Sequence, residues 1–298
     1  MMEFPVSGVE AYWWLPLLFG FVISCLSSVG GLSGAFLLLP FQISFLGFSG
    51  PAVSPTNLTY NVVAIPSGVW RYWRERRLVW PLAWATILGT LPGMFVGAVI
   101  RIKLLPDPAS FKPFVGLVLL YIASRLILDI ARRGSPGHTR LNSGVPGIKN
   151  AAFGLRRITY EFQGVGYQAS TAGTLTLSLI VGVIGGAYGI GGGAIIAPFF
   201  VTIFRLPVHT VAGATLLGTL VTSVAGIGFY GFLDRFYVDG GAAVQADLLL
   251  GAMFGLGGAV GMYFGARLQR FLPARWIKAI LTVLMLAVAW RYLSSLLV

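Results

Sequence analysis

A dense cluster of glycines lies inside an apolar segment, and its residue types could bind a small anion. Six of the nine residues from 185 to 193 are glycine. Because glycine disfavours a helix interior by about 1 kcal/mol relative to alanine, the cluster predicts a broken helix at membrane depth. A broken helix exposes backbone N–H groups and the positive end of a helix dipole, which both attract anions. The candidate anion ligands are Gly189, Gly191, Gly192 and Gly193.

A weaker copy of the pattern occurs near the N-terminus, in the sequence VGGLSGAFLLLP that ends at Pro40. The shift that pairs Pro40 with Pro198 also pairs Gly31 with Gly189 and Gly34 with Gly192. We therefore predict a second break opposite the first. Its candidate ligands are Gly30, Gly31 and Gly34.

Small residues also allow membrane helices to pack closely, which is the alternative interpretation of any glycine here. The G-x-x-x-G spacing of Gly93 with Gly97, and of Gly261 with Gly265, favours packing. The cluster at 189–193 favours an anion site, because packing needs one small residue per turn rather than a run.

Polar side chains near the starts of two spans could complete the site. A polar group opens the span predicted at 56–70, and the span that begins at Thr210 carries threonines at a similar depth. Hydrogen bonds between helices are the alternative role for these side chains. The candidate side-chain ligands are Thr56, Asn57, Thr215 and Thr219, together with the phenol of Tyr188.

The composition is that of a multi-pass protein of the cell membrane, with 56% apolar and 10% charged residues. The net charge of +12 is attributed to cytoplasmic loops and anionic membrane lipids rather than to nucleic acid. The sequence shows no metal-ligand cluster, no cofactor motif and no nucleophile–base pair. We therefore expect no metal, no cofactor and no enzymatic activity.

The fold class that follows is an all-α polytopic membrane protein with two internal repeats. The first repeat covers 11–131, a cytoplasmic linker covers 132–170, and the second repeat covers 171–298. Each repeat consists of a glycine-broken hairpin segment and three spans. Inverted repeats are favoured over parallel ones because they place more of the Lys and Arg residues in the cytoplasm. Re-entrant and fully crossing hairpins remain equally compatible.

The linker contains an alternation of apolar and polar residues. Ile158, Tyr160 and Phe162 alternate with polar side chains and are followed by Gly-Val-Gly. Alternation with a glycine turn predicts a small β-hairpin at the membrane surface.

Several motifs together resemble the TauE/SafE family of sulfite-exporter-like transporters. They are GIGGG-x-x-x-x-P at 189–198, Ala-Thr-Leu at 214–216, Thr-Asn-Leu at 56–58 and the paired G-x-x-x-G-A segments. The linker around 160–162 is also similar. The resemblance implies secondary transport of a small sulfur-containing anion such as sulfite, thiosulfate or a short organosulfonate. The first break departs from the motif, since VGGLSG stands in place of YGIGGG.

Three classes of function are compatible with these observations. A secondary anion transporter is favoured, an anion channel using the same broken helices is the alternative, and a membrane enzyme or assembly factor comes third. The direction of transport, the coupling ion and homodimer formation are left open by the sequence.

Overall fold

The computed structural model describes residues 1–30, 33–48, 50–131, 147–237, 244–268 and 274–294. Most of these residues are helical. The helices are α1 Trp14–Gly30, α2 Ala35–Phe45, α3 Val53–Ala64, α4 Pro66–Arg74, α5 Trp80–Lys103, α6 Pro108–Ala131, α7 Thr171–Tyr188, α8 Gly193–Thr202, α9 Val208–Tyr237, α10 Leu248–Leu268 and α11 Ala274–Ser294.

Within the described part of the chain, five helices are long and apolar enough to cross a membrane. Two shorter apolar helices, α1 and α2, adjoin the first glycine-rich segment. The spanning segments are Trp80–Lys103, Pro108–Leu128, Thr171–Tyr188, Thr210–Phe236 and Leu248–Gly265.

Both glycine-rich segments interrupt helices. Between α7 and α8, Gly189 adopts a left-handed conformation with φ of +83° and ends the helix through its N–H bond to Gly185 O. Phe19 of α1 stacks on Phe41 of α2, with ring centroids 3.8 Å apart. A straight helix would separate these two residues by about 33 Å, so α1 and α2 are not one straight helix.

The long helices pack through glycines in pairs that join the two halves of the chain. Helix α5 packs on α7, and helix α1 packs on α10. A Cβ added at Gly93 or Gly97 of α5 would overlap the α7 backbone. One added at Gly257 or Gly261 of α10 would overlap the carbonyl of Leu17 or Phe21 of α1. Small residues therefore set the close approach in both pairs.

The segment predicted as one span over 56–70 is divided into two helices. Helix α3 ends at Ala64, and α4 begins at Pro66, whose ring removes a backbone N–H and so stops α3. No residue of α4 is buried, whereas α3 is buried along most of its length. Helix α4 is thus a short surface helix that follows a buried one.

Two small antiparallel sheets flank the helices. At the N-terminus, β1 Met2–Phe4 pairs with β2 Val9–Ala11. In the linker, β3 Lys149–Phe153, β4 Arg157–Phe162 and β5 Val165–Ser170 form a three-stranded sheet. The linker therefore carries one strand more than the alternation alone indicates. The turn between β4 and β5 places Gln163 and Gly164 at positive φ.

The linker sheet is attached to α9 by one buried hydrogen bond. The hydroxyls of Tyr160 and Thr210 are 2.8 Å apart. Burial raises the pKa of the Tyr160 phenol above its usual range, so this hydroxyl stays protonated at neutral pH.

Candidate functional site

The two breaks are joined by one buried amide of α3. Asn57 Nδ2 donates to Gly189 O at the second break and to Ala35 O at the first, each over 2.9 Å. Asn57 is fully buried. A single side chain therefore holds the end of α7 and the start of α2 at one point.

A second amide lies one helical turn further along α3, on the same face. Asn61 Nδ2 donates to Ile190 O over 3.0 Å and to Ser223 Oγ of α9 over 3.3 Å. Its Oδ1 accepts a longer hydrogen bond from Ser33 Oγ, at 3.5 Å, beside the first break. Asn61 thus repeats the bridging role of Asn57.

Gln42 of α2 supports Asn57 from the side of the first break. Its Nε2 donates to Asn57 Oδ1 over 3.3 Å, which orients the Asn57 amide with both N–H groups toward the backbone carbonyls. Gln42 is fully buried, and its Oε1 has no hydrogen-bond partner among the described residues. The buried Gln42 Oε1 can therefore accept a hydrogen bond from another donor.

Two further hydrogen bonds close the second break. Tyr188 donates its hydroxyl to Phe36 O in α2 over 2.8 Å, which again joins the two breaks. The Gly192 N–H, at the start of α8, donates to Thr222 Oγ1 over 3.3 Å. The start of α8 is therefore held by α9.

The glycines of the second break are surrounded by atoms of neighbouring helices. Gly191 has φ of +77°, and a Cβ there would lie 2.8 Å from Thr219 Cγ2. A Cβ at Gly192 would lie 2.6 Å from Thr90 Cβ, and one at Gly193 would overlap Thr215 O. Close packing thus requires glycine at these positions in this structure, whether or not their N–H groups also bind an anion.

The structure brings most of the predicted site residues together, in a cluster that we call the bridged break. Its members are Gly34, Asn57, Tyr188, Gly189, Gly191, Gly192, Gly193, Thr215 and Thr219. Thr215 and Thr219 contribute their packing surface, because their hydroxyls donate to carbonyls of their own helix over 3.2 and 2.9 Å. Gly30 ends α1, and Gly31 lies outside the described residues.

Thr56 does not belong to the bridged break. Its hydroxyl donates to Ala52 O and accepts from the Asp247 N–H, each over 2.8 Å. Asp247 precedes α10 and accepts from Leu250 N, so Thr56 helps to fix the start of that helix. The structure places Thr56 outside the bridged break because a residue next to Asn57 on a helix faces about 100° away.

Sequence reasoning did not select four side chains that contact the bridged break: Gln42, Asn61, Thr222 and Ser223. A signal for three of them exists. Asn61 lies four residues after Asn57, and Thr222 and Ser223 lie three and four residues after Thr219, so each shares a helix face with a predicted residue. Gln42 offers no such signal, because its proximity to Asn57 depends on how α2 packs.

A buried arginine lies beside the second break. Arg101 Nε donates to Ser54 Oγ over 3.3 Å, and Ser54 Oγ donates to Ala187 O over 3.1 Å. The guanidinium also donates to Gly50 O over 2.9 Å and lies over the ring of Phe111. Among the described residues, Asp247 is the only buried carboxylate. Arg101 therefore contributes a buried positive charge near the second break.

A family model described as "Sulfite exporter TauE/SafE" matches residues 16–292. The chain belongs to the TauE/SafE family. As a family member with five apolar spanning helices, it is a multi-pass protein of the cell membrane. Its relatives carry the names of membrane transporters, which agrees with a transport function.

Three relatives of this TauE/SafE protein illustrate the similarity. It is 24% identical to the probable membrane transporter protein YjnA of Bacillus subtilis, over 87% of this chain and 94% of that protein. The probable membrane transporter protein MamO of Paramagnetospirillum magneticum is 24% identical over 89% of this chain and 42% of its own length. YdhB of Bacillus subtilis, also a probable membrane transporter protein, is 30% identical over 34% of this chain and 37% of its own.

The chain thus spans less than half the length of MamO and YdhB. No solved structure matches the chain at a significant level.

Proposed function

We propose that this TauE/SafE protein is a secondary transporter of a small sulfur-containing anion, such as sulfite, thiosulfate or a short organosulfonate. The observation that carries the proposal is the bridged break, in which Asn57 binds carbonyls of both interrupted segments. A substrate bound there would contact both halves of the chain at once. Binding could then be coupled to a relative movement of the halves.

The chemistry of the bridged break suits an anion with several oxygens. Helices α2 and α8 start at the breaks, so the positive ends of their dipoles lie at the cluster. The amides of Asn57 and Asn61 donate to backbone carbonyls here and would become donors to a substrate when those contacts separate, and the nearby Arg101 adds positive charge. Each oxygen of a sulfur oxyanion can accept one or more of these hydrogen bonds. A cation would find only a single buried carboxylate among the described residues, and Asp247 already caps α10.

The helix packing supports an arrangement of two inverted repeats, 11–131 and 171–298, joined by the linker at 132–170. Helices α1 and α7 correspond in this arrangement, as do α3 and α9, α5 and α10, and α6 and α11. Helix α1 packs on α10 while α7 packs on α5, and α3 packs on α10 while α9 packs on α5. A contact between two helices is therefore repeated between their counterparts, as two repeats related by a two-fold axis require.

Contacts within the broken segments support the hairpin form of each repeat. Phe19 stacks on Phe41 around the first break. Around the second, a Cβ at Gly173 of α7 would lie 3.2 Å from the Phe204 ring, beyond the end of α8. A hairpin segment enters and leaves the membrane on one side. A repeat made of one hairpin and three spans therefore starts and ends on opposite sides, so the second repeat has the inverted orientation.

The close packing of the second break favours a transporter over a channel. Gly191, Gly192 and Gly193 have neighbours within contact distance from α5 and α9. Substrate access to their N–H groups therefore requires these contacts to separate. A site that opens and closes in this way fits alternating access.

Counterflow in proteoliposomes tests the proposal across a panel of anions. Vesicles loaded with unlabelled sulfite, thiosulfate or taurine should transiently accumulate the same labelled anion, and uptake should saturate. Chloride and amino acids should support much less exchange. Flux that rises linearly with concentration and shows no counterflow would identify a channel, and robust transport of a cation or neutral sugar would overturn the assignment.

A further inference from the structure

A groove on the outer face of the helices lies away from the bridged break, and its lining is entirely apolar. It has a volume of about 270 Å³. Helix α4 forms one wall, the start of α5 forms the second, and Leu220 of α9 closes the third side. We call it the tryptophan groove, after three of its lining residues. The lining is Pro66, Val69, Trp70, Trp73, Leu78, Trp80 and Leu220.

The three tryptophans are unusually exposed for residues that form a concave wall. Trp70, Trp73 and Trp80 retain 57%, 52% and 47% of their accessible surface. The rings of Trp70 and Trp73 meet edge to face at 4.9 Å, which gives the wall a fixed shape. Tryptophan is enriched where the hydrocarbon of a bilayer meets its headgroups. The groove therefore lies at the depth at which a lipid passes from acyl chain to headgroup.

Arginines lie at the end of α4 that borders the groove. Arg74 follows Trp70 by four residues, so it continues the same face of α4 by one turn. Two other arginines, Arg71 and Arg77, pair with Glu75. Arg74 and Arg76 are exposed, and neither forms an ion pair within the described part of the chain. These two guanidiniums are therefore available to an anion, and Arg74 lies on the face of α4 that lines the groove.

We infer that the tryptophan groove binds one molecule of an anionic phospholipid, with an acyl chain along the tryptophans and the phosphate at Arg74 and Arg76. The apolar lining matches a hydrocarbon chain, and the guanidiniums match a phosphate in charge and in hydrogen-bond geometry. A zwitterionic lipid carries a compensating cation and gains less from the same arginines. The positive charges of Arg74 and Arg76 thus favour an anionic phospholipid over a zwitterionic one.

The position of the groove suggests that its occupant influences α9. Leu220 lies next to Thr219 of the bridged break, and on α4 a Cβ at Gly68 would contact Leu216 of α9 at 3.5 Å. A lipid chain between α4, α5 and α9 would therefore support a face of α9 that adjoins the face packed on the glycines of the second break.

Native mass spectrometry of the full chain in detergent tests the inference. Phosphatidylglycerol and phosphatidylcholine with identical palmitoyl and oleoyl chains are titrated in parallel. The first adduct of phosphatidylglycerol should form at least fivefold more tightly, since one basic residue near an anionic headgroup contributes about that factor. Equal binding of the two lipids would show nonspecific annular contact and overturn the inference.

Two variants test the groove itself, each with a matched control. Leu220→Trp fills the groove and Arg74→Gln removes a guanidinium, and each should weaken the first phosphatidylglycerol adduct about fivefold. Leu256→Trp places the same ring on the exposed face of α10, and Arg156→Gln removes an exposed arginine of the linker. Both controls should bind like the unmodified protein. Unchanged binding in both groove variants, or an equal loss in the controls, would contradict the assignment.

Discussion

The two breaks have similar sequence patterns but are held in place by different groups. At the second break, Gly189 and Gly191 adopt left-handed conformations, and an added Cβ would meet the backbone of Ser54 or the side chains of α9. At the first break, Gly34 has φ of −68°, and an added Cβ would meet the ends of side chains, foremost the Tyr60 hydroxyl. The second break is thus fixed by left-handed backbone conformations and backbone fit, and the first by side-chain contacts.

Helices α3 and α9, which come after the two broken segments, also differ in the polar groups that they present. The shift that pairs Pro40 with Pro198 pairs Asn57 and Asn61 of α3 with Thr215 and Thr219 of α9. The asparagines donate to carbonyls of the broken segments, whereas the threonines donate to their own helix. In the repeat that we propose, α3 therefore connects the halves and α9 provides the surface on which the second break packs.

The largest effect is expected at the second break. Gly189→Ala adds a methyl group at left-handed φ against the Ser54 backbone, and should lower the free energy of unfolding by about 4 kcal/mol through strain and overpacking. Gly34→Ala, at the first break, should cost about 2 kcal/mol, because the methyl group overpacks against Tyr60 without adding left-handed backbone strain. Thermal unfolding in detergent measures both. Equal losses would show that the two breaks are equally constrained.

A smaller difference should separate α3 from α9. Asn61→Leu leaves the Ile190 carbonyl and the Ser223 hydroxyl without their donor, and should destabilise the protein by about 3 kcal/mol. Thr219→Val keeps the packing surface and removes only a bond within its own helix, so we expect less than about 1 kcal/mol. The same unfolding assay applies. A larger loss for Thr219→Val would reverse the roles given to α3 and α9.

The smallest effect tests a single bond between the breaks. Tyr188→Phe removes the hydroxyl that donates to Phe36 O and retains the ring, so the expected cost is about 1 kcal/mol. Tyr12→Phe serves as the control, since this tyrosine is 53% exposed near the N-terminus. If Tyr188→Phe and its control unfold at the same temperature, the hydrogen bond from Tyr188 to Phe36 O does not stabilise the contact between the breaks.

The positions of the breaks could be predicted from the sequence because glycine acts locally on a helix. Asn57 could be predicted for a similar reason, since a polar residue in an apolar span needs a partner. The hydrogen-bond partners of Asn57 could not be predicted, because they depend on which faces of α2 and α3 meet. Gln42 is one such residue, buried only by the packing of α2 on α3.

Arg101 shows the same limit for charge. An arginine in the last turn of a span is usually an anchor in the headgroup region. Here the turn at Gly50 and the chain at Leu105 and Pro106 supply carbonyls that enclose the guanidinium. Gly50 lies 51 residues from Arg101, and no local sequence pattern predicts the hydrogen bond between them.

Sulfite counterflow with Asn57→Asp tests the central claim most directly. The substitution preserves the shape of the side chain. A charged carboxylate about 5 Å from a bound anion would oppose binding by about 3 kcal/mol, and a protonated one would offer one donor in place of two. Gln168→Glu, on the exposed strand β5 beside Arg157, adds the same charge away from the bridged break. We predict loss of saturable sulfite exchange in folded Asn57→Asp and normal exchange in Gln168→Glu. Exchange at the normal rate in Asn57→Asp would contradict an anion site at the bridged break.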